Sequence, residues 1–261
     1  MKSDLREKIA DADYVLIGIG EEFEIRRSDI ESNGNYAFLL NNWKDHEQIF
    51  PYIEKDFIEN SNDRAVLLRK QAYENLFQIL KQKDYFVVSL CMDGIISKAR
   101  ADEDRIVEPC GTLRKLQCSD KCTADLYQPD VQMIEKIKEF PTDRKADVGK
   151  IMPLCPKCGR PLVFNNILTE NYMEEGYLDK WQKYTKWLQR TINRKLCILE
   201  LGVGMRFPTV IRWPFEKVAY FNQKASFFRV HSKLYQVAEE IKERSTGIKA
   251  DPVDFLFTYE S

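Results

Sequence analysis

Cys118-Ser-Asp-Lys-Cys122 and Cys155-Pro-Lys-Cys158-Gly159 are two close cysteine pairs in the middle of the chain. Two such pairs on either side of a polar insert match the tetrahedral ligand set of a structural zinc ion. The alternative is a redox dithiol, but redox folds usually use one such pair rather than two. The pattern therefore predicts a zinc site with four cysteine ligands: Cys118, Cys122, Cys155 and Cys158.

The role of that ion follows from its complete set of protein ligands. A zinc ion with four cysteine ligands has no open position for water or substrate, so we expect it to stabilise the local fold. Zinc binding supplies folding free energy that a short polar segment cannot obtain from burial. We expect the chemistry of the protein to lie elsewhere in the chain.

Composition places the chain among ordinary globular proteins. Its 261 residues suffice for one large domain and a smaller module, and 44% of them are hydrophobic. The net charge of -1 gives no basic excess for binding nucleic acid. No apolar run approaches the roughly 20 residues that span a bilayer, and the charged N-terminus is unlike a signal peptide. We expect a soluble cytoplasmic protein in which Cys91, Cys110 and Cys197 are reduced thiols.

Three short apolar runs, at 12–20, 84–90 and 195–201, predict buried parallel strands. The first ends in Gly18-Ile-Gly20 and the third in Gly202-Val-Gly204, whereas the second leads to Asp93. Ligands of open α/β sheets bind at the carboxyl ends of the strands, so these residues are candidates for a nucleotide site. The alternative for Asp93 is that it forms the turn before Gly94.

The remaining elements predict an α/β protein with a doubly wound, mostly parallel Rossmann-like sheet. Residues 21–61 are aromatic and irregular, and we predict a helical cover there. Further predicted helices lie at 62–81, 95–101, 130–140, 170–194 and 234–244, and further strands at 105–111, 218–222 and 226–230. We predict a nucleotide-binding domain from 1–112 and 165–261, with the zinc-binding module inserted at 113–164.

Glu21 and Glu22 directly follow the first glycine turn, where a phosphate would rest on backbone amides. Two unit charges 4 Å apart at an effective dielectric of 20 repel each other by about 4 kcal/mol, which opposes binding unless the carboxylates point away or meet a cation. The other interpretation is that the two glutamates interact favourably with a helix dipole in a site that binds no anion. The sequence leaves both interpretations open.

The order of these motifs along almost the whole chain resembles that of the sirtuins. The likeness includes Cys110-Gly111, the zinc cysteines and Asn222 after a predicted strand. It is greatest to the macrodomain-linked bacterial sirtuins, which the sequences at 117–122, 200–204 and 208–215 resemble.

The resemblance implies a Rossmann domain that binds NAD and cleaves it at the nicotinamide bond. Typical sirtuins deacylate lysine, whereas the macrodomain-linked group is associated with ADP-ribosylation of lipoyl-carrier proteins. Carried onto this chain, the resemblance assigns residues to three parts of the cofactor: Gly18 and Gly20 to the diphosphate, Asp93 to the nicotinamide amide, and Gly202, Gly204 and Asn222 to the adenosine half.

Three departures from the family pattern lie at the implied active site. Cys110 stands where sirtuins have the histidine base, and Cys91 stands where they have an asparagine. Glu21 and Glu22 replace small residues beside the phosphate. Because an unperturbed cysteine has a pKa of about 8.5, Cys110 needs a cationic neighbour to act as a nucleophile or base, and Arg114 and Lys115 are the candidates in the sequence. Otherwise it is a small buried thiol that fills a turn.

Two hypotheses follow. The first is a sirtuin-like, NAD-dependent enzyme that modifies proteins, with ADP-ribosyl transfer favoured over deacylation because the histidine is absent. In it, Asp93 orients nicotinamide and Cys110 occupies the position of the base. The second is a sirtuin fold that has lost catalysis and binds a nucleotide or a protein without turnover. The expected partner is a protein, for example a lipoyl-carrier protein, and neither nucleic acid nor a membrane.

Overall fold

The structure is a computed structural model that describes residues 2–99, 101–130, 132–139 and 148–258. Its strands are β1 Tyr14–Ile19, β2 Asp84–Ser89, β3 Ile106–Val107, β4 Gly111–Cys118, β5 Leu162–Asn166, β6 Leu196–Leu201, β7 Ala225–His231 and β8 Ser245–Lys249. Its α-helices are α1 Lys2–Asp11, α2 Arg27–Ser32, α3 Gly34–Asn42, α4 Phe50–Asn60, α5 Arg64–Leu80, α6 Gln132–Glu139, α7 Leu178–Arg190, α8 Arg212–Phe221 and α9 Pro252–Phe257. Short 3-10 helices lie at Glu47–Ile49, Ile95–Lys98, Glu103–Arg105, Val148–Lys150, Glu174–Gly176 and Glu239–Arg244.

Six strands form one sheet in the order β3-β2-β1-β6-β7-β8, and every neighbouring pair in it is parallel. The strand order reverses between β1 and β6. The strands that follow β1 in the chain, β2 and β3, lie on one side of this pair, and those that follow β6, β7 and β8, lie on the other side. Ligands of doubly wound sheets bind at such a point. The predicted α/β fold class, its mostly parallel sheet and its three central strands are confirmed.

The sheet is buried on both faces, as the continuous apolar runs predict. Every residue of β6 is buried, and Leu16 and Ile17 on opposite faces of β1 are completely inaccessible to solvent. Helix α5, at the predicted position, packs against α9, and α8 packs against β6 and β7. The side chain of Asp63 caps α5 by accepting a hydrogen bond from the backbone nitrogen of Ala65 (2.9 Å).

The segment between β1 and α5 contains α2, α3 and α4, in the region where a helical cover is predicted. Its aromatic side chains Tyr36, Trp43, Tyr52 and Phe57 are buried. These aromatics therefore belong to the core, which is the commoner role of such residues.

A second, two-stranded antiparallel sheet is formed by β4 and β5 and lies beside the cysteine pairs. Helix α6 confirms the helix predicted at 130–140, and it packs against α4 of the cover. The charged loop predicted after α6 falls largely on residues outside the described ranges. The exact division into two domains stays a prediction.

Two predicted elements are wrong. The strand predicted at 218–222 is instead the end of α8, which runs to Phe221 and is followed by Asn222; Phe215 and Ala219 face the core one helical turn apart. Residues 234–238 are not helical, and only the 3-10 helix Glu239–Arg244 follows them. The carbonyl oxygens of Leu234 and Gln236 accept hydrogen bonds from the guanidinium groups of Arg212 and Arg229 (3.1 and 2.7 Å), which replaces helical bonding.

The helix predicted at 170–194 is shorter than expected, since α7 covers only Leu178–Arg190. Its predicted first turns are replaced by backbone that binds the buried amides of Gln117 and Asn165, the latter of which donates to the carbonyl oxygen of Met173 (2.8 Å). Gln117 donates to the carbonyl oxygen of Asn171 (2.6 Å) and accepts from the backbone nitrogen of Met173 (2.9 Å). Within the described ranges, no helix is both long and apolar enough to cross a lipid bilayer.

Candidate nucleotide site and cysteine cluster

The turns after β1 and β6 meet at the carboxyl edge of the sheet, where the strand order reverses. The backbone nitrogen of Gly20 donates to the carbonyl oxygen of Leu201 (2.9 Å). A Cβ atom at Gly20 would collide with the backbone of Gly202 and Val203, so only glycine permits this approach. Gly202 has a φ of +67°, in the left-handed region that favours glycine. These glycines bring the two turns together.

Glu21 and Glu22 point back into this edge of the sheet. The carboxylate of Glu21 accepts hydrogen bonds from the backbone nitrogens of Gly204 and Arg206, both at 3.2 Å. That of Glu22 accepts from the backbone nitrogen of Ser232 (3.0 Å) and from its hydroxyl. Backbone N–H groups at such turns are typical anion ligands. The turns after β6 and β7 therefore present backbone donors of the kind that bind anions, and the chain's own carboxylates accept from them.

His231 contacts Glu22 without forming an ion pair. Its Nδ1 lies 3.1 Å from Oε2 of Glu22, but that nitrogen accepts hydrogen bonds from the backbone nitrogens of Lys233 and Leu234 (3.0 and 3.1 Å). Burial lowers the pKa of His231, and the attraction of Glu22 only opposes this shift. We therefore describe the imidazole as neutral.

Glu24 and Arg206 connect this anion site to the end of β2. One carboxylate oxygen of Glu24 accepts from the backbone nitrogen of Met92 (3.0 Å), and the other pairs with the guanidinium of Arg206 (3.2 Å). Burial raises the pKa of Glu24. The sequence did not identify either residue. Their pairing joins positions 182 residues apart, and no local pattern indicates it.

Asp93 is buried beside this site and joins two loops. Its carboxylate accepts from the backbone nitrogens of Ile25 (3.2 Å) and Ile95 (3.0 Å). Burial raises the pKa of Asp93 to about 7, and the negative charge of Glu24 adds to the effect. The carboxyl is therefore partly protonated near neutral pH, so it can both donate and accept hydrogen bonds.

The two cysteines in the altered family positions are both buried. The thiol of Cys91 lies 3.4 Å from the carbonyl oxygen of Gly20 and ties the end of β2 to the first glycine turn. Burial raises the pKa of Cys110 to about 12, although Arg206 opposes the shift. The Cys110 thiol is therefore protonated at neutral pH. The cation that faces it is Arg206, and not Arg114 or Lys115, which pair elsewhere.

Two of the predicted cofactor residues lie apart from the turns. Gly18 is inside β1, where a Cβ would contact Ile211 (2.6 Å) and Phe215 (2.9 Å), so its small size serves helix packing. Asn222 precedes β7 and lies at the opposite edge of the sheet. Its amide donates to the carbonyl oxygens of Thr191 and Arg194 (both 3.1 Å). The structure therefore brings together Gly20, Gly202 and Gly204, with Asp93 and Cys110 nearby, but not Asn222.

The four predicted zinc ligands form a compact cluster. The four sulfur atoms of Cys118, Cys122, Cys155 and Cys158 lie within 4.8 Å of one another, and two of the pairs are 3.5 Å apart. Zinc–sulfur bonds of about 2.3 Å in a tetrahedron place the sulfurs about 3.8 Å apart. All seven cysteines are free thiols. The donor set and its geometry fit a zinc ion that these residues would hold for structure.

Buried carboxyls predict an unusual pH dependence of stability. Burial raises the pKa of Glu54 to about 8, with the charges of Glu24 and Asp93 adding to the shift. Because an unfolded glutamate titrates near pH 4.3, the folded state holds the extra proton between about pH 4 and 8, and stability falls as pH rises through that window. We expect Glu54→Gln to raise the free energy of unfolding by up to about 5 kcal/mol at pH 8 and to leave it unchanged at pH 4.

Urea denaturation of the Glu54→Gln variant and the wild type at the two pH values measures this difference. The exposed Glu243 at the other edge of the sheet supplies the control, Glu243→Gln, which should show no such dependence. A Glu54→Gln effect of equal size at both pH values would contradict the prediction.

Comparison of the sequence with known proteins identifies two relatives. A protein ADP-ribosyltransferase of Staphylococcus aureus is 26% identical over 271 residues, covering 95% of this chain and 83% of the relative. A probable bifunctional ADP-ribose hydrolase/ADP-ribosyltransferase of Fusarium oxysporum f. sp. cubense is 28% identical over 187 residues. That match covers 69% of this chain but only 30% of the relative. No protein-family model matches the chain.

Comparison with solved structures shows the fold. Sir2Tm bound to a propionylated peptide superimposes with a TM-score of 0.56 at 13% identity, covering 97% of this chain and 94% of that one. A Sir2 homologue in complex with ADP-ribose gives 0.58 at 12% identity over 99% of this chain and 95% of that one. A complex of a Sir2 homologue with NAD gives 0.56 at 10% identity, with coverages of 99% and 92%. The chain therefore has the sirtuin fold, as the resemblance in the sequence implied.

Proposed function

We propose that this sirtuin-fold protein transfers ADP-ribose from NAD to a protein acceptor. The observation that carries the proposal is the set of backbone donors at the strand switch, the amides of Gly204, Arg206 and Ser232, which already bind anionic groups. A diphosphate is an anion of the kind that such amides bind. The likeness to a protein ADP-ribosyltransferase and to sirtuins crystallised with NAD or ADP-ribose supports the same reaction class.

In this proposal the glycine turns hold the diphosphate and Asp93 orients the nicotinamide. NAD supplies an activated ADP-ribosyl group. A nucleophilic atom of the acceptor bonds to the ribose and loses its proton to solvent, while the bond to nicotinamide breaks and nicotinamide leaves with the bonding electrons. Gly20, Gly202 and Gly204 give the backbone the close approach that the diphosphate needs. The partly protonated carboxyl of Asp93 suits a carboxamide, which both donates and accepts hydrogen bonds. Asn222, at the other edge of the sheet, takes no part.

Glu21 and Glu22 must release their amides before a diphosphate can bind. A carboxylate left 4 Å from a phosphate charge opposes binding by about 4 kcal/mol at an effective dielectric of 20. Glu21 is the more readily displaced of the two, because it accepts only backbone hydrogen bonds at 3.2 Å, whereas Glu22 also binds the hydroxyl of Ser232. Arg206 lies beside the site and can pair with the phosphate charge.

Transfer is favoured over deacylation because the chain places no competent base at position 110. The pKa of about 12 leaves the Cys110 thiol protonated near neutral pH. Burial among apolar side chains gives it the role of a small group that fills the turn. A protonated, buried thiol at position 110 cannot replace the histidine base of the sirtuins that deacylate lysine, which supports transfer over deacylation.

The proposed reaction is tested by mass spectrometry of candidate acceptors incubated with the protein and NAD, starting with lipoyl-carrier proteins and acetyl-lysine proteins. We expect the mass gain of ADP-ribose and no loss of acyl groups. The Cys110→Ala variant should keep activity within about tenfold, since a general base contributes about 10²–10⁴-fold. A loss of about a hundredfold in that variant would identify Cys110 as the base, and acyl loss would replace transfer by deacylation.

The second candidate is a binding module without turnover, and the occupied amide donors favour it. If Glu21 and Glu22 keep the donors permanently, the turn binds no diphosphate and the fold serves to bind a protein or another nucleotide. Addition of ADP-ribose to any acceptor would exclude this candidate. The absence of both ADP-ribose binding and ADP-ribose addition across the acceptors tested would support it.

A further inference from the structure

A cavity of about 640 Å³ lies between the helical cover and the second sheet. Phe50, Tyr52 and Glu54 of α4 line it together with Phe164 of β5, whose ring contacts that of Tyr52 (centroids 4.7 Å apart). Glu24 and Met92 also belong to the lining. Because Glu24 also pairs with Arg206, this carboxylate belongs both to the cavity and to the edge of the nucleotide site. A group bound in the cavity would therefore lie beside the proposed reaction centre.

The described ionisable side chains that line the cavity are acidic and not basic. Its lining includes the carboxylates of Glu24, Glu47, Glu54 and Glu170, and no lysine or arginine is among the described residues that line it. Glu47 and Glu170 are exposed at the rim, whereas Glu24 and Glu54 are partly buried within. Arg27 of the cover lies over the Phe50 ring and pairs with Glu31. Arg206 pairs with Glu24, whereas Arg27 acts on Glu54 only through its charge and forms its ion pair with Glu31.

Two polar groups on the cover wall have no partner. Within the part of the chain that the structure describes, Glu54 makes no hydrogen bond or ion pair, in contrast to Glu24. The side chain of Tyr52 is only 4% exposed, and its hydroxyl is buried without a hydrogen-bond partner. A buried hydroxyl without a partner is costly and usually marks a missing ligand or water. Tyr52 and Glu54 therefore indicate a bound polar group.

The composition of the lining and the spacing of its carboxyls suit an organic cation rather than a metal ion. Among the described residues, the cysteine cluster is the one group in which three or more metal-ligating atoms lie within 4.8 Å of one another, so the cavity carboxylates are too dispersed for a bare ion. The walls also include Phe50, Met92 and Phe164. An aliphatic stem with a charged end matches both the apolar walls and the carboxylates.

We propose that this cavity binds the cationic side chain of a lysine or arginine in a protein substrate. Glu54 holds a proton at neutral pH while the cavity is empty, and it releases that proton to solvent when the cation binds and becomes its charge partner. The hydroxyl of Tyr52, which also has no hydrogen-bond partner, is a further polar group of the lining. An acyl-lysine is disfavoured, because its neutral amide gives the carboxylates no positive charge to pair with. This specificity rests on the proposed function, in which a protein is the acceptor, and it names the class of segment that binds.

Fluorescence polarisation of labelled short peptides, without NAD, tests the proposal. The peptides are glycine and alanine chains with one central lysine, arginine, acetyl-lysine or norleucine. We expect the lysine and arginine peptides to bind about tenfold or more tightly than the two neutral ones, as charge-assisted hydrogen bonds are about twice as strong as neutral ones. Glu54→Gln should remove the preference, Tyr52→Phe should weaken it, and the control Glu243→Gln should leave it unchanged.

Equal or tighter binding of the acetyl-lysine peptide would overturn this inference, as would an unchanged preference in Glu54→Gln. Titration of ADP-ribose into the same preparations separates this result from the proposed function. If ADP-ribose binds and no cationic preference is found, only the cavity specificity fails. If the preference is found and ADP-ribose does not bind, the specificity stands and the proposed transfer fails.

Discussion

The Cys155→Ala variant is expected to lose its zinc and, with it, the folded structure around β4 and β5. Cys155 is buried and its sulfur lies 3.5 Å from that of Cys122. Structural zinc contributes about 10–16 kcal/mol of apparent binding free energy in small zinc-binding peptides at neutral pH, and this energy stabilises the folded state. The strands themselves carry buried apolar residues such as Leu116 and Phe164, but the loops that hold the exposed Cys122 and Cys158 have no such burial in place of the metal. The loss should therefore exceed that of any single core substitution.

Elemental analysis measures the first part of this prediction as one zinc ion per wild-type chain and none per variant chain. Hydrogen exchange measures the second, as faster exchange of the β4 and β5 amides. The matched control is Cys197→Ala, which removes a thiol that is also buried but lies on β6, outside the cluster. Wild-type protein without zinc, or equal melting temperatures for Cys155→Ala and Cys197→Ala, would contradict the structural role.

A second large loss of stability is expected for Arg229→Met. Arg229 on β7 is inaccessible to solvent, and its guanidinium binds the carboxylate of Glu200 on β6 (2.6 Å). It also binds Glu216 (2.8 Å) and the carbonyl oxygen of Gln236 (2.7 Å). Burial already raises the pKa of Glu200 to about 7, against the lowering effect of Arg229. Removing the cation leaves a buried carboxyl without its charge partner, at a cost of about 3–5 kcal/mol.

The double variant Glu200→Gln with Arg229→Met distinguishes this explanation from a simple loss of packing. A neutral amide in place of the carboxylate removes the unpaired charge, so the double variant should recover about half of the loss or more. Denaturant unfolding of the wild type, both single variants and the double variant gives the coupling free energy. A loss below about 1 kcal/mol in Arg229→Met, or strictly additive effects, would contradict the prediction.

The central strands and the cysteine cluster could be predicted because their signals are local. Buried parallel strands require continuous apolar runs, and β1, β2 and β6 have them. Zinc ligands in close pairs have a spacing that the sequence displays directly. The glycine turns were also recognisable, because a close backbone approach leaves no room for a side chain, as Gly20 shows.

The failures concern features that the sequence does not define locally. Residues 218–221 are apolar, and a short apolar run is compatible with a helix or a strand. Their assignment to a strand placed Asn222 at the ligand edge, whereas the end of α8 places it at the opposite edge. Similarly, the carboxylate of Glu21 binds the turn after β6, 183 residues away, and no pattern near Glu21 shows this contact.

The direction of Glu21 and Glu22 decides between the two interpretations that the sequence left open. Neither carboxylate points away, and neither simply caps a helix. Each binds backbone donors of an adjacent strand turn, as a phosphate would. In the proposed function, the affinity of the turn for a diphosphate depends on the displacement of these carboxylates.

Calorimetric titration of ADP-ribose into the wild type and Glu21→Ala tests this dependence most directly, with Glu243→Ala as the matched control. We predict measurable binding by the wild type at millimolar ligand. In Glu21→Ala we predict binding about tenfold tighter or more, since the amides of Gly204 and Arg206 become free and a repulsive charge is removed. Binding by Glu243→Ala should equal that of the wild type. The absence of heat with both the wild type and Glu21→Ala would contradict a diphosphate site at this turn.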